Sequence, residues 1–77
     1  MGETDGVGAP RITSLGLVEG EVLTYLEEHG AATLHGLTRV LDWSASLITM
    51  AVGALIRQGL VRGSRHELEV VLEALRK

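Results

Sequence analysis

Two helix-capping residues, Thr33 and Ser44, stand eleven positions apart and constrain the fold more than any other feature of the sequence. A hydroxyl just before a helix accepts a hydrogen bond from a first-turn amide that otherwise has no partner. Each of the two is followed by apolar residues at three- and four-residue spacing, which lie on one face of a helix. We therefore predict a short helix over residues 33–41 and a longer one over residues 44–58. Only two residues remain between them, so they are predicted to meet at a tight turn.

An earlier amphipathic run predicts a first helix over residues 17–29, which ends because Gly30 follows. The helices predicted over residues 33–41 and 44–58 are then the second and the third. Their core must be aliphatic, since hydrophobic residues make up 45% of the chain and aromatic residues only 3%. Trp43, in the turn, is predicted to pack on Ile48 as a hydrophobic staple. The residues predicted to face the core are Val18, Val22, Leu23, Tyr25, Leu26, Leu34, Leu37, Val40, Leu41, Leu47, Ile48, Ala51, Val52 and Leu55.

Beyond the third helix the sequence predicts a β-hairpin. Residues 60–61 enter the first strand, residues 63–66 form the turn, and residues 68–72 alternate in the second strand. The second strand also matches a helical period as far as Leu75, and periodicity alone does not separate a short strand from a helix. A strand and a C-terminal helix therefore both remain open for residues 67–75, with the strand as the leading prediction.

The first ten residues, MGETDGVGAP, contain three of the ten glycines and the only proline. They show no apolar periodicity, so they bury too little apolar surface to offset the entropy of ordering. We predict a flexible tail over residues 1–14. Residues 15–77 are predicted to form a single domain, because a chain of 77 residues is too short for a second core.

Residues 32–61, ATLHGLTRVLDWSASLITMAVGALIRQGLV, resemble winged helix-turn-helix domains. They are similar to small bacterial and archaeal winged-helix proteins of unknown function, in which an Ala-x-Gly step precedes an Arg-x-Gly exit from the third helix. Here the step is Ala51 and Gly53, and the exit is Arg57 and Gly59. The resemblance implies a mostly α, α+β fold: a three-helix winged helix-turn-helix with a short C-terminal β-hairpin as its wing.

The same resemblance extends to winged-helix transcriptional regulators and implies a DNA-binding function. In such proteins the exposed face of the third helix enters the major groove, while the wing contacts the DNA backbone. The residues that this assigns to the third-helix surface are Ser44, Ser46, Thr49, Met50, Gly53 and Arg57. The residues that it assigns to the wing contact are Arg62, Arg65 and His66.

The distribution of charge leaves a second interpretation open. The net charge is −3, yet residues 33–66 carry four arginines against one aspartate, and the rest of the chain carries three basic against nine acidic residues. The third helix has no lysine or arginine before its last turn, and phosphate binding depends on such residues. The alternative to DNA binding is a docking or assembly module that binds a protein partner, for example at Met50, and no nucleic acid. For the DNA-binding interpretation we predict a homodimer, which pairs through residues 70–75, doubles the phosphate contacts and adds the apolar burial that a small chain lacks.

Other classes of function are not indicated by the sequence. There is no cysteine, no glycine-rich phosphate loop and no nucleophile beside a base, so we predict neither catalysis nor a cofactor. His29, His35 and His66 lie on separate predicted elements without ligand spacing, so no metal site is predicted. The apolar runs fall far short of the ~18 residues that span a bilayer. We expect a soluble, cytoplasmic protein that does not contact membranes.

Overall fold

A computed structural model describes residues 13–75 of the chain. These residues form helices α1 (Ser14–His29), α2 (Leu34–Val40) and α3 (Ala45–Arg57), and strands β1 (Ala31–Thr33), β2 (Val61–His66) and β3 (Glu69–Ala74). The strands make one antiparallel sheet in the order β1-β3-β2. This arrangement confirms the predicted α+β, three-helix winged-helix fold.

Helix α1 begins three residues earlier than predicted, at Ser14. Thr13 is its N-cap, and the Thr13 hydroxyl accepts a hydrogen bond from the backbone amide of Gly16 at 3.0 Å. The helix ends as predicted before Gly30, whose φ of 91° is the left-handed backbone that glycine adopts at little cost. The predicted tail lies, for residues 1–12, outside the described residues.

Both capping residues from which the fold was predicted are confirmed. The Thr33 hydroxyl accepts a hydrogen bond from the amide of Gly36 at 2.9 Å, and the Ser44 hydroxyl accepts one from Leu47 at 3.2 Å. These bonds satisfy first-turn donors of α2 and α3 and so fix where each helix begins. The chain leaves α3 through Gly59, at a φ of 78°.

The core lies between the three helices and one face of the sheet, and it is aliphatic as predicted. Val40 was expected in the core but is exposed near the end of the short helix α2. Leu47 is half-buried and packs against the edge of the core. The fully or nearly fully buried residues are Val18, Val22, Leu26, Leu37, Ile48, Ala51, Val52, Leu55, Val61 and Leu72.

The hairpin confirms the strand interpretation of residues 67–75 but corrects the position of the turn. The predicted turn over residues 63–66 is part of β2, and the connection is the two-residue loop Glu67 and Leu68. Gly63 stands within the strand because space is short there: a Cβ would lie 3.3 Å from Ile56 Cδ1 and 3.4 Å from Leu72 Cδ2. Gly63 therefore lies where α3 approaches the sheet closely, and the chain does not reverse there.

Strand β3 is the central strand of the sheet. Its residues pair with β2 over the whole hairpin and with β1 through Ala31, Ala32 and Thr33, a short strand that the sequence pattern did not predict. Residues 70–75, predicted as the pairing surface of a dimer, thus lie largely in a strand that already has a neighbour on each side, and Leu72 is fully buried. A second copy therefore has no free strand edge at residues 71–73, and the dimer itself stays a prediction.

Trp43 connects the turn before α3 to helix α1. Its ring is half-buried against the core, and its indole N–H donates to Glu21 Oε1 at 2.8 Å. The contact of Trp43 with Ile48 remains a prediction. Among the described residues, none of the three helices has the length and hydrophobicity required to cross a bilayer.

Candidate nucleic-acid interface

The outward face of α3 carries the residues that the sequence assigned to DNA contact. Ser46, Thr49, Met50 and Arg57 are exposed and Gly53 is half-buried, because the opposite side of the helix is taken up by the core. Met50 is 53% exposed. It is the one large apolar side chain among these five residues. Helix α3 contains no aspartate or glutamate, so the face offers hydroxyl groups, a thioether and one guanidinium.

Ser44 differs from these residues in what its side chain can do. Its hydroxyl accepts the amide of Leu47 and thereby caps α3, so it is already engaged in the fold. The first turn of α3 contains no acidic residue, and its unpaired amides give this end of the helix a partial positive charge. Ser44 therefore contributes to the surface by setting where that end begins.

Arg57 and Gly53 are brought together one turn apart at the end of α3. A Cβ at Gly53 would lie 3.6 Å from Arg57 Nη1, so the guanidinium lies over the glycine, on the outward side of the helix. A larger residue at position 53 would occupy space beside the guanidinium. The only cation of α3 is thus held on the face that the sequence predicted.

The structure separates the three predicted wing residues onto two faces of the sheet. Side chains alternate along a strand, so Arg65 shares the helix-covered face with the buried Val61, whereas Arg62 and His66 point from the opposite face. Arg65 is paired in register with Val70, which borders Thr49 of α3 across a groove. Of the three, Arg65 is therefore the residue that lies on the same side of the sheet as α3.

On the far face of the sheet, Arg62 is held by a carboxylate. Its Nη2 donates to Glu73 Oε1 at 2.9 Å, between residues that are direct cross-strand partners. With side chains 65% and 51% exposed, a pair of this kind contributes at most about 1 kcal/mol, but it offsets the arginine charge. His66 similarly stands opposite Glu69 in the register of the hairpin.

Sequence reasoning missed the character of the hairpin tip. Leu68 is 99% exposed there and stands between Glu67 and Glu69. A groove of about 320 Å³ separates this tip from the beginnings of α2 and α3, with Leu34 and Thr49 on its walls. The signal was present in the letters ELE of residues 67–69, but the misplaced turn assigned them to the returning strand.

Within residues 13–75, no three or more histidine and acidic side chains come together in a way that would hold a metal ion. The interface described above contains hydroxyl groups and arginines. Its chemistry is that of hydrogen bonding and charge.

The fold has a counterpart among solved structures. It is similar to a structure that concerns the DNA recognition and protein interaction domains of HOP2 and its homologous DNA pairing properties, with a TM-score of 0.66 and 16% sequence identity. The match covers 75% of this chain and 98% of that chain, and it shows a shared fold. No protein-family model and no curated protein matches the sequence.

Proposed function

We propose that this protein is a DNA-binding winged-helix module that lays the outward face of α3 against duplex DNA, with Arg57 and Arg65 on phosphates. One observation carries the proposal: α3 is a carboxylate-free surface on an acidic protein. Residues 13–75 carry four arginines and eight acidic residues, and none of the eight lies on α3. Negative charge is thus absent from the helix that winged-helix proteins place in the groove.

The side chains on this face favour binding to the backbone over reading of bases. Ser46 and Thr49 donate to phosphates or to base edges, whereas the bidentate Arg and Asn contacts that discriminate best between base pairs have no source in the first turns of α3. Weak sequence preference and strong dependence on salt follow. The similarity to a HOP2 structure concerned with DNA recognition supports this direction.

The proposal includes the setting in which the module acts. With two arginines at the interface, one copy makes few phosphate contacts, so we propose that two copies act together on one duplex. The module binds without catalysis or a cofactor, as a regulator in the cytoplasm. Sedimentation of the protein with and without duplex DNA measures the number of copies.

The test is titration of a fluorescent duplex of mixed sequence, followed by anisotropy at low and moderate salt. We expect saturable binding whose affinity falls as salt rises, by a slope of about −0.9 for each phosphate neutralised. Thr49→Glu places a carboxylate in the middle of the outward face of α3 and is expected to abolish binding. Thr24→Glu, the same change at an exposed position of α1, adds the same charge and is expected to retain most of it.

Absence of binding at low salt contradicts the proposal, and so does an equal loss of affinity in the two threonine variants. The first result excludes duplex DNA as a ligand. The second result shows that an added negative charge weakens binding wherever it lies. Binding would then depend on the overall charge of the protein and not on contact at α3.

A second candidate function, docking of a protein partner without nucleic acid, is favoured by the hairpin tip. Glu67 and Glu69 would meet the phosphates of any duplex that the hairpin approached, and Leu68 between them is almost fully exposed. Under this candidate function a protein partner covers the side chain of Leu68. Under this alternative, Leu68→Ser weakens binding of the protein partner. Neither the parent protein nor the variant changes the anisotropy of the DNA.

A further inference from the structure

A second surface of the molecule has the form of a helix-binding groove. It is a shallow groove of about 820 Å³ that runs along the outer side of α1 and is bounded by Leu41 at the end of α2. Its lining includes Leu17, Gly20 and Tyr25, and Leu17 is 47% exposed. Nothing on α3 lines it, so it is separate from the outward face of that helix.

Within residues 13–75, the glycines of this groove are not required by close packing. A Cβ at Gly20 would meet nothing within 4 Å, and one at Gly16 would meet only the Thr13 hydroxyl, at an ordinary 3.5 Å. Glycine inside a helix lowers helix stability compared with alanine. What the two glycines provide is bare backbone on the surface of α1, against which another helix can lie closely.

The charge along the groove selects the kind of occupant. Glu21 and Glu28 line it, and α1 carries four glutamates and no lysine or arginine. A second copy of the chain would bring these carboxylates against their own counterparts, and like charges at an interface disfavour pairing. A helix with basic residues beside its apolar stripe would instead be attracted to the carboxylates of Glu21 and Glu28, which lie seven residues apart along one side of α1.

We propose that this groove binds an amphipathic helix of a partner protein, whose apolar stripe lies over Gly16 and Gly20 and whose lysines or arginines face Glu21 and Glu28. The proposal does not depend on DNA binding, because the two surfaces lie on different helices. A protein that uses both would link its partner to whatever α3 contacts.

The test uses a synthetic helical peptide of about 14 residues with leucines at the spacing of one helix face and lysines beside them. Its binding to the full chain is followed by amide chemical shifts in ¹⁵N-labelled protein. We expect the largest shifts at Gly16 and Gly20. Trp43, the single tryptophan, should report the same event by fluorescence, because its indole is bonded to Glu21 on the groove.

Two neighbouring glutamates provide matched variants. Glu28 lines the groove and Glu27 does not, although both are exposed. Glu28→Lys should weaken peptide binding roughly tenfold, whereas Glu27→Lys, of equal net charge, should change it less than about twofold. Gly20→Leu fills the groove without an internal clash and should abolish binding, with circular dichroism to confirm that the variant is folded.

Several results overturn the proposal. Equal weakening by the two lysine variants shows unspecific attraction, and shifts centred on α3 show that the peptide binds elsewhere. Equal affinity for a peptide in which glutamates replace the lysines shows that Glu21 and Glu28 do not select a basic helix. Shifts at Gly16 and Gly20 on dilution without peptide show that a second copy occupies the groove.

Discussion

The indole N–H of Trp43 donates to Glu21 Oε1 at 2.8 Å, which joins the turn before α3 to the middle of α1 across 22 positions of sequence. A half-buried tryptophan requires a partner for its single donor, and here an acidic residue of another helix provides it. The bond therefore fixes the position of the helix-turn-helix unit relative to α1.

Replacing this acceptor should lower stability. Glu21→Ala removes a hydrogen bond to a charged group and is expected to reduce the free energy of unfolding by about 1 kcal/mol. Urea denaturation followed by circular dichroism measures the change, and tryptophan emission should shift in the folded state. Glu27→Ala, at an exposed position of the same helix, is the control. Equal stability of the two variants would show that the indole bond contributes nothing.

The two hairpin arginines should differ in DNA binding. Arg65→Ala is expected to weaken binding several-fold and to reduce the salt slope by about 1, because Arg65 lies on the same side of the sheet as α3 and is proposed to contact a phosphate. Arg62→Ala should have an effect of less than about twofold, because Arg62 lies on the other face of the sheet beside Glu73. Anisotropy titrations of both variants at several salt concentrations provide the comparison. A larger loss with Arg62→Ala would place the far face of the sheet against DNA.

Alanine should have opposite effects at two glycines of the α1 region. Gly20→Ala is expected to raise the free energy of unfolding by about 1 kcal/mol, because the added methyl group meets nothing and alanine favours the helix. Gly30→Ala should lower it by a similar amount, since alanine is strained at a φ of 91°. Thermal unfolding of the two variants beside the parent protein tests this prediction. A destabilising Gly20→Ala would indicate a neighbour at that position.

The hairpin loop holds a removable strain. Glu67 has a φ of 58°, a left-handed backbone that costs a residue other than glycine about 1–2 kcal/mol. Glu67→Gly relieves this strain, but glycine loses more conformational entropy on folding. The net effect should be a rise in the free energy of unfolding of about 0.5 kcal/mol. Glu69→Gly removes the same charge within β3 and should destabilise it. Chemical denaturation separates the two, and a loss of stability in both would contradict the strain at position 67.

The helices could be predicted from the sequence because their signals are local. Thr33 and Ser44 fix the beginnings of α2 and α3 by bonds to amides three residues away. The apolar spacing of α3 then identifies which side is buried. The start of α1 was missed because Thr13 caps it through Gly16, and both had been assigned to the segment before the helix.

The faces of the hairpin could not be predicted, because they depend on register. Gly63 was interpreted as a turn residue, yet close packing against Ile56 and Leu72 is what its missing side chain permits. Once the turn is misplaced, the face on which Arg62 or Arg65 lies is undetermined, since a shift of one residue exchanges the two faces of a strand. Arg62 and Arg65 face opposite ways on any strand that contains both, and the tertiary structure decides which of them shares the side of the helices.

The position of β3 in the sheet has a consequence for folding during synthesis. Strands β1 and β2 have β3 as their common neighbour, and β3 is the last of the three to be made. The helices can begin to form on a nascent chain, but no strand pairing can occur until residues 69–74 have left the ribosome. Such late closure of contacts distant in sequence is slow compared with helix formation. The emergence of β3 should therefore be the step after which the sheet can close on the helices.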